Sequence, residues 1–299
     1  SKSQPTMTDY TVNDLHFLML HAGIAHHHDD WNWKDVKSPF ARLYYVTEGA
    51  AQVVMPNATL QLLPHHLYLI PPNTLHSNIC TGTFSHYYVH IYEDPSCDSN
   101  IFDDFEFPID LEALPEDESL MSRLIALNPQ MQLPSSDPQS YDNQHSILSN
   151  IQLSLSRTFA DRLESRGILY TILARFVRIS KPKESVIDSR IKKTLKYIRH
   201  HLSEPIDIGT LSSQVYLTKD HFIRLFRKNT GYTPNAYITN KKVERAELLL
   251  VTTNLPLKQI AHELGYDDQS YFIRLFKKNT LVTPQQYRSR QLPHISPQI

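Results

Sequence analysis

Apolar residues recur with two different periods along this chain, and the period changes near its middle. Between residues 40 and 92, short apolar-aromatic runs are separated by turn residues, and they read FARLYYVTEG, LQLLP, LYLIPPN and HYYVHIY. Runs of this kind at close spacing are typical of the strands of a β-sandwich or β-barrel. After residue 144 the apolar positions recur at helical spacing instead. The pattern predicts an α+β multidomain protein, with a β-rich domain first and helices after it.

Two amphipathic helices are predicted directly after the β-rich domain. The first has an apolar stripe made of Ile147, Leu148, Ile151, Leu155, Phe159 and Leu163. Gly167 interrupts the pattern, and the second stripe is made of Ile168, Leu169, Ile172, Leu173, Phe176 and Val177. Such stripes pack either on a neighbouring domain or against a second subunit. The sequence leaves both possibilities open, and we expect a homodimer.

Composition marks the connections between the predicted domains. Residues 93–118 hold eleven acidic residues and no basic one, which favours a solvated loop with short helical pieces. Residues 129–138, PQMQLPSSDP, are typical of an irregular connection. We predict a first domain over 1–180, with its helices at about 144–180, a linker over 181–186 and a second domain over 187–292.

Capping signals divide the second domain into short helices. A side chain that caps a helix start is Ser, Thr, Asp or Asn, and Gly favours a helix end. Proline is suited to the first helical position. These signals predict helix starts or ends at Asp207, Thr218, Gly231, Thr233-Pro234, Pro256, Gly265, Asp267 and Thr283-Pro284.

The second domain contains one sequence twice. Residues 221–237 read HFIRLFRKNTGYTPNAY and residues 271–287 read YFIRLFKKNTLVTPQQY, with eleven of seventeen positions identical at an offset of fifty. Each copy completes a short helix, a tight turn and a second helix. Within the second helix, the apolar side predicted to pack inward is Phe222, Leu225 and Phe226, and in the other copy Phe272, Leu275 and Phe276.

The opposite side of each repeated helix is basic and polar. In the first copy it is formed by Lys219, Asp220, Ile223, Arg224, Arg227 and Lys228, and in the second by Gln269, Ser270, Ile273, Arg274, Lys277 and Lys278. A helix of this kind fits the major groove of double-stranded DNA, where Arg pairs with guanine and Gln with adenine. Lys and Arg towards the helix ends are better placed for phosphates. A pair of helical hairpins that only pack together is the alternative interpretation.

Spacing and charge both favour DNA as the partner. The helix predicted from Pro234 to about Val251 spans roughly 27 Å at 1.5 Å per residue, and its flanking turns bring the separation to about one DNA turn, roughly 34 Å. The net charge of −1 conceals a division, because residues 187–299 hold 18 basic and 9 acidic residues. The first 186 residues hold 12 basic and 22 acidic ones. Such asymmetry indicates that the second domain meets a polyanion.

Two features bear on the cellular compartment. The chain has two cysteines and no run of apolar residues long enough to span a membrane, and its first residues lack the apolar stretch of a secretory signal. We therefore expect a cytoplasmic protein without a disulfide framework and with no membrane association.

The sequence over 187–290 resembles the AraC-type transcriptional regulators of bacteria. The resemblance lies in ERAELLL followed by IAHELGYDDQSYFIRLFKKNTLVTPQQYR. It implies base-reading positions at Asp220, Ile223 and Arg224 in one unit and at Gln269, Ser270 and Arg274 in the other. It also implies transcriptional activation together with RNA polymerase. The chain departs from the family pattern at Tyr216 and Leu281, where glycine or another small residue is usual, and a reshaped helix end is expected at Leu281.

The first domain resembles a cupin in one motif. Pro72-Asn73-Thr74-Leu75-His76 is similar to the second half of the cupin signature, with Asn73 in place of glycine. The stretch RLYYVTEGAAQ lacks the paired histidines that a metal-binding cupin has in the first half. We therefore predict a cupin-like barrel without metal or other cofactor, which in AraC-type regulators is a ligand-sensing domain.

Aromatic and hydrogen-bonding side chains along the predicted strands suit a sugar ligand, because such sites combine an apolar face with a few polar groups. Four of them, Glu48, Asn78, His86 and Tyr88, also match sugar-contacting positions of the arabinose-responsive member of the family by a rough strand alignment. Each could instead line the barrel or its surface. The complete predicted ligand set is Trp31, Arg42, Tyr44, Glu48, His76, Asn78, His86 and Tyr88.

These features favour a DNA-binding transcriptional regulator that responds to a small molecule, for which we expect a carbohydrate, and not an enzyme. Two alternatives remain open at this point. One is a cupin-type, metal-dependent sugar enzyme fused to a DNA-binding domain. The other is a regulator whose barrel only dimerises and binds no ligand.

Overall fold

The computed structural model describes residues 11–93, 101–183 and 187–291. The described residues form two compact units, one ending at Lys183 and one beginning at Ile187. The first unit is rich in β-structure and the second is helical. The predicted α+β composition is confirmed at this level.

Two antiparallel sheets make up most of the first unit. One has five strands in the order β1-β8-β3-β6-β10, and the other has four in the order β2-β7-β4-β5. A short bridge pairs β9 with β11. The strands are β1 (Phe17–His28), β2 (Trp33–Val36), β3 (Ala41–Gly49), β4 (Ala51–Met55), β5 (Ala58–Leu62), β6 (His66–Ile70), β7 (His76–Ile79), β8 (Thr83–Glu93), β9 (Phe105–Glu106), β10 (Asp110–Glu112) and β11 (Lys181–Pro182).

Strands β3 and β8 are buried on both faces, and their alternating side chains serve two different cores. Leu43 and Val89 belong to a core that includes residues of the following helices. Tyr44 and Phe84 belong to a second core with Val53 of the four-stranded sheet. Successive strand residues point to opposite faces, so one strand can separate an apolar helix-facing layer from a mixed layer between the sheets.

The helices of the first unit only partly follow the predicted stripes. They are α1 (Ile101–Asp104), α2 (Asp117–Leu127), α3 (Pro138–Tyr141), α4 (Gln144–Leu155) and α5 (Phe159–Arg178). The chain breaks between α4 and α5, where Thr158 caps α5 by accepting a bond from the backbone N–H of Asp161. Gly167 lies inside α5 and does not interrupt it.

The break leaves part of the first predicted stripe on the surface. Leu155, Phe159 and Leu163 are 43%, 71% and 59% exposed, so this part of the stripe is not in the core of the unit. Ile168, Leu169, Ile172 and Phe176 face inward as the second stripe predicted, and they join the core against the five-stranded sheet.

Residues 101–118 are more ordered than a solvated loop. Phe102, Phe105 and Phe107 are buried in the core beside α5, because aromatic side chains spaced among the acidic residues supply an apolar face. Lys181 and Pro182, predicted as part of a linker, pair with this segment as β11. The predicted short helical pieces are confirmed by α1 and α2. The prediction of a solvated excursion is wrong for the buried aromatics, and residues 94–100 lie outside the described residues.

Helices form the second unit over the residues that the structure describes. They are α6 (Ser189–His200), α7 (Ile208–Gln214), α8 (Lys219–Thr230), α9 (Pro234–Thr252), α10 (Leu257–Glu263), α11 (Gln269–Thr280) and α12 (Pro284–Gln291). The caps predicted at Asp207, Thr218 and Thr233 are confirmed, since each side chain accepts a bond from a backbone N–H in the first helical turn.

One predicted cap is displaced by a residue. Asp268, and not Asp267, accepts bonds from the backbone N–H groups of Ser270 and Tyr271 and starts α11. The turn between α10 and α11 is one residue longer than the turn between α7 and α8, and an N-cap side chain must sit two or three residues before the N–H it accepts. Asp268 lies fifty positions after Thr218, so both basic helices are capped at the same position of the repeat and the extra residue precedes the cap.

Tyr216 and Leu281, the two residues that replace a small residue or glycine of the family pattern, both have a left-handed backbone conformation with positive φ. Tyr216 has φ of 57°, and Gly265 at the corresponding turn of the second copy has φ of 73°. Leu281 ends α11 with φ of 67°, as Gly231 ends α8 with φ of 79°. The helix end expected to be reshaped at Leu281 therefore keeps the same left-handed conformation, at a steric cost that glycine avoids.

Lys242 of α9 joins the two halves of the second unit. Its side chain is 4% exposed. Its Nζ donates to the carbonyl oxygen of Glu204 at 2.9 Å and to that of Leu264 at 2.6 Å. Glu204 follows α6 in the first half, and Leu264 ends α10 in the second. The ammonium group also lies 4.9 Å from the centroid of the Tyr266 ring.

Replacing Lys242 with Met is expected to destabilise the second unit, because two carbonyl groups lose a charged donor that methionine cannot replace. We expect a loss of about 1–3 kcal/mol in its free energy of unfolding. Native-state hydrogen exchange of amides in α9 and α10 measures this loss. Lys241→Met is the matched control, since the partly exposed Lys241–Glu244 ion pair contributes at most about 1 kcal/mol. Equal effects of both substitutions would contradict the role given to Lys242.

Candidate nucleic-acid interface and ligand cavity

Helix α8 has one buried side and one open side. Phe222 and Phe226 are fully buried against α9 and the short helices before it. Arg224 is exposed and Ile223 beside it is half-buried. The rest of the predicted outward set is also exposed, namely Lys219, Asp220, Arg227 and Lys228.

Helix α11 repeats this arrangement. Phe272 and Phe276 are buried in the second half of the unit, and Arg274 is exposed. Ser270, Lys277 and Lys278 are exposed, while Gln269 and Ile273 are half-buried. Residues 221–228 and 271–278 match position by position in whether the side chain is buried, half-buried or exposed. The sequence repeat is therefore also a repeat of which side chains face solvent.

Helix α9 supports both basic helices, the name used below for α8 and α11. Ile238, near its start, packs in the core that holds Phe222 and Phe226. Val243 and Leu250, further along, pack in the core that holds Phe272 and Phe276. With 19 residues, α9 is roughly 28 Å long at 1.5 Å per residue. One rigid helix thus separates the two basic helices.

The arginines at the centre of the basic helices have no acidic partner in the described ranges. Neither Arg224 nor Arg274 takes part in an ion pair there. Asp220 is the acidic residue on the exposed side of α8, and α11 has none within its own span. Both guanidinium groups are therefore available to an external anion or base.

A cavity of about 360 Å³ lies in the first unit. Side chains from the inner faces of β1, β3 and β8 form its walls, and residues 132–136 cover one side. This covering segment is attached to the wall, because the backbone N–H of Leu133 donates to the Tyr88 hydroxyl at 2.8 Å. The lining residues are Ile24, Ala25, His26, His27, Asp30, Trp31, Arg42, Tyr44, His86, Tyr88, His90, Gln132, Leu133, Pro134, Ser135, Ser136 and Tyr141.

Arg42 brings a charge into this cavity. It is 2% exposed. Its guanidinium donates to the Tyr141 hydroxyl at 3.0 Å and to the Ser38 hydroxyl at 2.6 Å. The group lies over the Phe40 and Tyr141 rings, 5.1 and 5.5 Å from their centroids. Its Nε has no hydrogen-bond partner.

The histidines around Arg42 are held in their neutral form. Burial, followed by the positive charge of Arg42, lowers the pKa of His21 to about 3. Burial also lowers the pKa of His76 to about 4. For His86 and His90, burial again holds the pKa well below the ordinary value. At neutral pH these rings therefore add polarity and hydrogen-bonding capacity but no charge.

Five of the eight predicted ligand residues line the cavity, namely Trp31, Arg42, Tyr44, His86 and Tyr88. Glu48 does not, because the β3–β8 pairing shifts between Val46 and Glu48 and leaves Glu48 exposed. His76 and Asn78 are buried but do not line it. They lie on β7 of the other sheet, where the His76 ring bonds to the Thr74 carbonyl.

Sequence reasoning missed His90, Tyr141 and the covering segment at 132–136. His90 could have been predicted from the sequence, because strand alternation in HYYVHIY places it on the same face as His86 and Tyr88. Nothing in the local sequence pattern predicts Tyr141 or residues 132–136, because they reach the cavity by long-range packing against strands distant in sequence.

The motif that resembles the cupin signature keeps one backbone feature of glycine, since Asn73 has φ of 59°. Across the described ranges, no group of three or more His, Cys, Asp or Glu side chains is arranged to hold a metal ion. No helix in the described part of the chain has both the length and the apolarity needed to cross a bilayer.

Comparison with known proteins adds to this geometry. Residues 211–290 match a family model described as a helix-turn-helix domain. The HTH-type transcriptional activator Btr of Bacillus subtilis is 35% identical over 107 residues, which are 36% of this chain and 20% of Btr. The arabinose operon regulatory protein of Salmonella typhimurium is 32% identical over 99 residues, which are 33% of this chain and 35% of that protein.

A solved domain structure is also similar. The C-terminal domain of the two-component response regulator yesN from Fusobacterium nucleatum is 32% identical, with 34% of this chain and 99% of that domain covered and a TM-score of 0.33. The chain matches between 20% and 52% of the length of the first curated relatives. The matched helix-turn-helix region and these regulator relatives agree with the repeated motif, and the chain belongs to the AraC-type family of bacterial transcriptional regulators.

Proposed function

We propose that this protein is a sequence-specific DNA-binding regulator that places α8 and α11 in successive major grooves on one face of the duplex. The observation that carries the proposal is the matched placement of two arginines. Arg224 and Arg274 occupy the same exposed position on two helices that bury the same face. A role in packing alone would not require an unpaired arginine at both positions. We place base contacts at Arg224 and Arg274 and at their neighbours Asp220, Ile223, Gln269 and Ser270.

The lysines and arginines towards the ends of the basic helices have a second proposed role. Lys219, Arg227 and Lys228 on α8, and Lys277 and Lys278 on α11, are exposed at or near helix ends. Such residues bind phosphates, which positions a protein on the duplex without reading its sequence.

We also propose that the first unit, a cupin-like sensor, binds a small carbohydrate as effector. The cavity has the size of a small-molecule site, and it combines the Trp31 and Tyr88 rings with polar atoms of Tyr44 and His86. The arabinose operon regulatory protein and the lactose operon transcription activator of Staphylococcus xylosus are among the relatives, which supports a sugar.

The protein is proposed to act in the cytoplasm as a homodimer that activates transcription together with RNA polymerase. Support for the dimer comes from Phe159 and Leu163, two exposed apolar side chains four residues apart on α5. Neighbouring exposed apolar side chains on one helix face are typical of a protein interface. We propose no catalytic activity.

Arg274→Ala is expected to weaken binding to the preferred duplex by about 1–3 kcal/mol and binding to random duplex by much less. The preferred duplex is first selected from a random-sequence library with the wild-type protein, and fluorescence anisotropy then measures both affinities. Lys278→Ala is the matched control on the same helix. As a phosphate contact it should weaken both duplexes alike and reduce the salt slope by about one. Equal losses on both duplexes for Arg274→Ala would show that Arg274 reads no base.

The double substitution Phe159→Glu and Leu163→Glu is expected to shift the protein from dimer to monomer, because two carboxylates replace the apolar face. Sedimentation velocity should show at least a tenfold rise in the dimer dissociation constant. Leu75→Glu, which changes an exposed leucine outside this face, should leave the dimer intact. An unchanged sedimentation coefficient for the double variant would place the dimer contact elsewhere.

A further inference from the structure

Arg42 is a buried charge without a carboxylate against it. In the described part of the chain, no acidic side chain lies within ion-pair distance of its guanidinium. Asp142 reaches it only through the Ser38 hydroxyl, which donates to the Asp142 carboxylate at 2.6 Å. Isolating an ion from water costs several kcal/mol unless a counter-charge offsets it. The partners that the guanidinium has are two hydroxyls and an imidazole ring, none of which carries a negative charge.

The guanidinium retains hydrogen-bonding capacity at the cavity. Arginine has five N–H donors, and three of its bonds go to the Tyr141 hydroxyl, the Ser38 hydroxyl and, at 3.4 Å, Nε2 of His90. The Nε–H has no partner. The Phe40 and Tyr141 rings hold the guanidinium plane, so its direction is fixed before any ligand arrives. This is a prepared donor group for an oxyanion, the planar partner that guanidinium pairs best.

Arg42 is the one arginine or lysine among the residues that line the cavity. His21, His76, His86 and His90 are neutral at neutral pH, as their lowered pKa values indicate. The other charged group that lines the cavity is Asp30, which is exposed and bonded to the His27 ring. A monoanion matches a single arginine, whereas a phosphate monoester carries about two negative charges near neutral pH.

We propose that the effector is a sugar acid, a small carbohydrate whose carboxylate binds Arg42. This inference rests on the proposed role of the cavity as a carbohydrate site. The sugar ring packs against Trp31, and its hydroxyls bond to Tyr44 and to Nδ1 of His86, which is buried without a partner. A cavity of about 360 Å³ has room for one hexuronate and for ordered water.

Matched sugars test the carboxylate directly. The full chain is titrated calorimetrically with glucuronate and galacturonate, with glucose and galactose as their uncharged counterparts, and with glucose 6-phosphate. Each pair differs only in the oxidation state of C6. We expect at least one uronate to bind at least tenfold more tightly than its aldose, and to raise the melting temperature of the protein because it binds only the folded state.

Two variants identify the group responsible. Arg42→Met should lose the preference for the uronate over its aldose, and Arg42→Lys should keep part of it, because lysine retains the charge without the planar fork. Circular dichroism confirms the folding of each variant. If Arg42→Met does not fold, the comparison of Arg42→Lys with wild type decides, and an unchanged uronate preference there overturns the role of the guanidinium.

The remaining outcomes separate this inference from the proposed function. Equal binding of an aldose and its uronate overturns the sugar acid and leaves the carbohydrate effector standing. Tighter binding of glucose 6-phosphate than of either uronate also overturns it, in favour of a phosphorylated sugar. Binding of none of the five compounds overturns both the sugar acid and the carbohydrate effector.

Discussion

The packing of both basic helices on α9 is the constraint on which the DNA-binding unit depends. Ile238 and Val243 of this helix lie in the two separate cores that hold the phenylalanines of α8 and α11. Between those cores the buried ammonium of Lys242 bonds to a carbonyl of each half. Gly265 lies at the same junction, where a Cβ atom would come within 2.8 Å of the Glu204 carbonyl carbon. Once one basic helix has bound DNA, a fixed separation holds the other beside the duplex. The second helix then binds without a further loss of the protein's rotational freedom, so the two contacts together bind more tightly than either alone.

The first unit depends on a different constraint, the two-sided burial of β3 and β8. Their outward-alternating residues seal an apolar layer against α5, and their inward residues present Arg42, Tyr44 and His86 to the cavity. Buried polar groups cost free energy unless they are bonded. The unbonded atoms Nε of Arg42 and Nδ1 of His86 are the two on these strands that a polar ligand of the proposed kind would satisfy.

Sequence periodicity predicted the second unit well and the first unit less completely. The repeat and the caps at Thr218 and Thr233 are local signals, and local hydrogen bonding determines the helix ends they predict. Long-range pairing determines the rest. The bulge after Val46, which turns Glu48 outward, and the covering segment at 132–136 depend on partners distant in sequence. The helix break before Thr158 was masked by a stripe that continues in phase across it.

Hydroxyl-radical footprinting of the full chain on its selected duplex tests the central claim most directly. In each bound protomer, two basic helices held one helical turn apart should protect two short blocks about 10 base pairs apart on one face of the duplex. A single protected block for each protomer, or two blocks on opposite faces, would contradict recognition by both helices at a fixed separation.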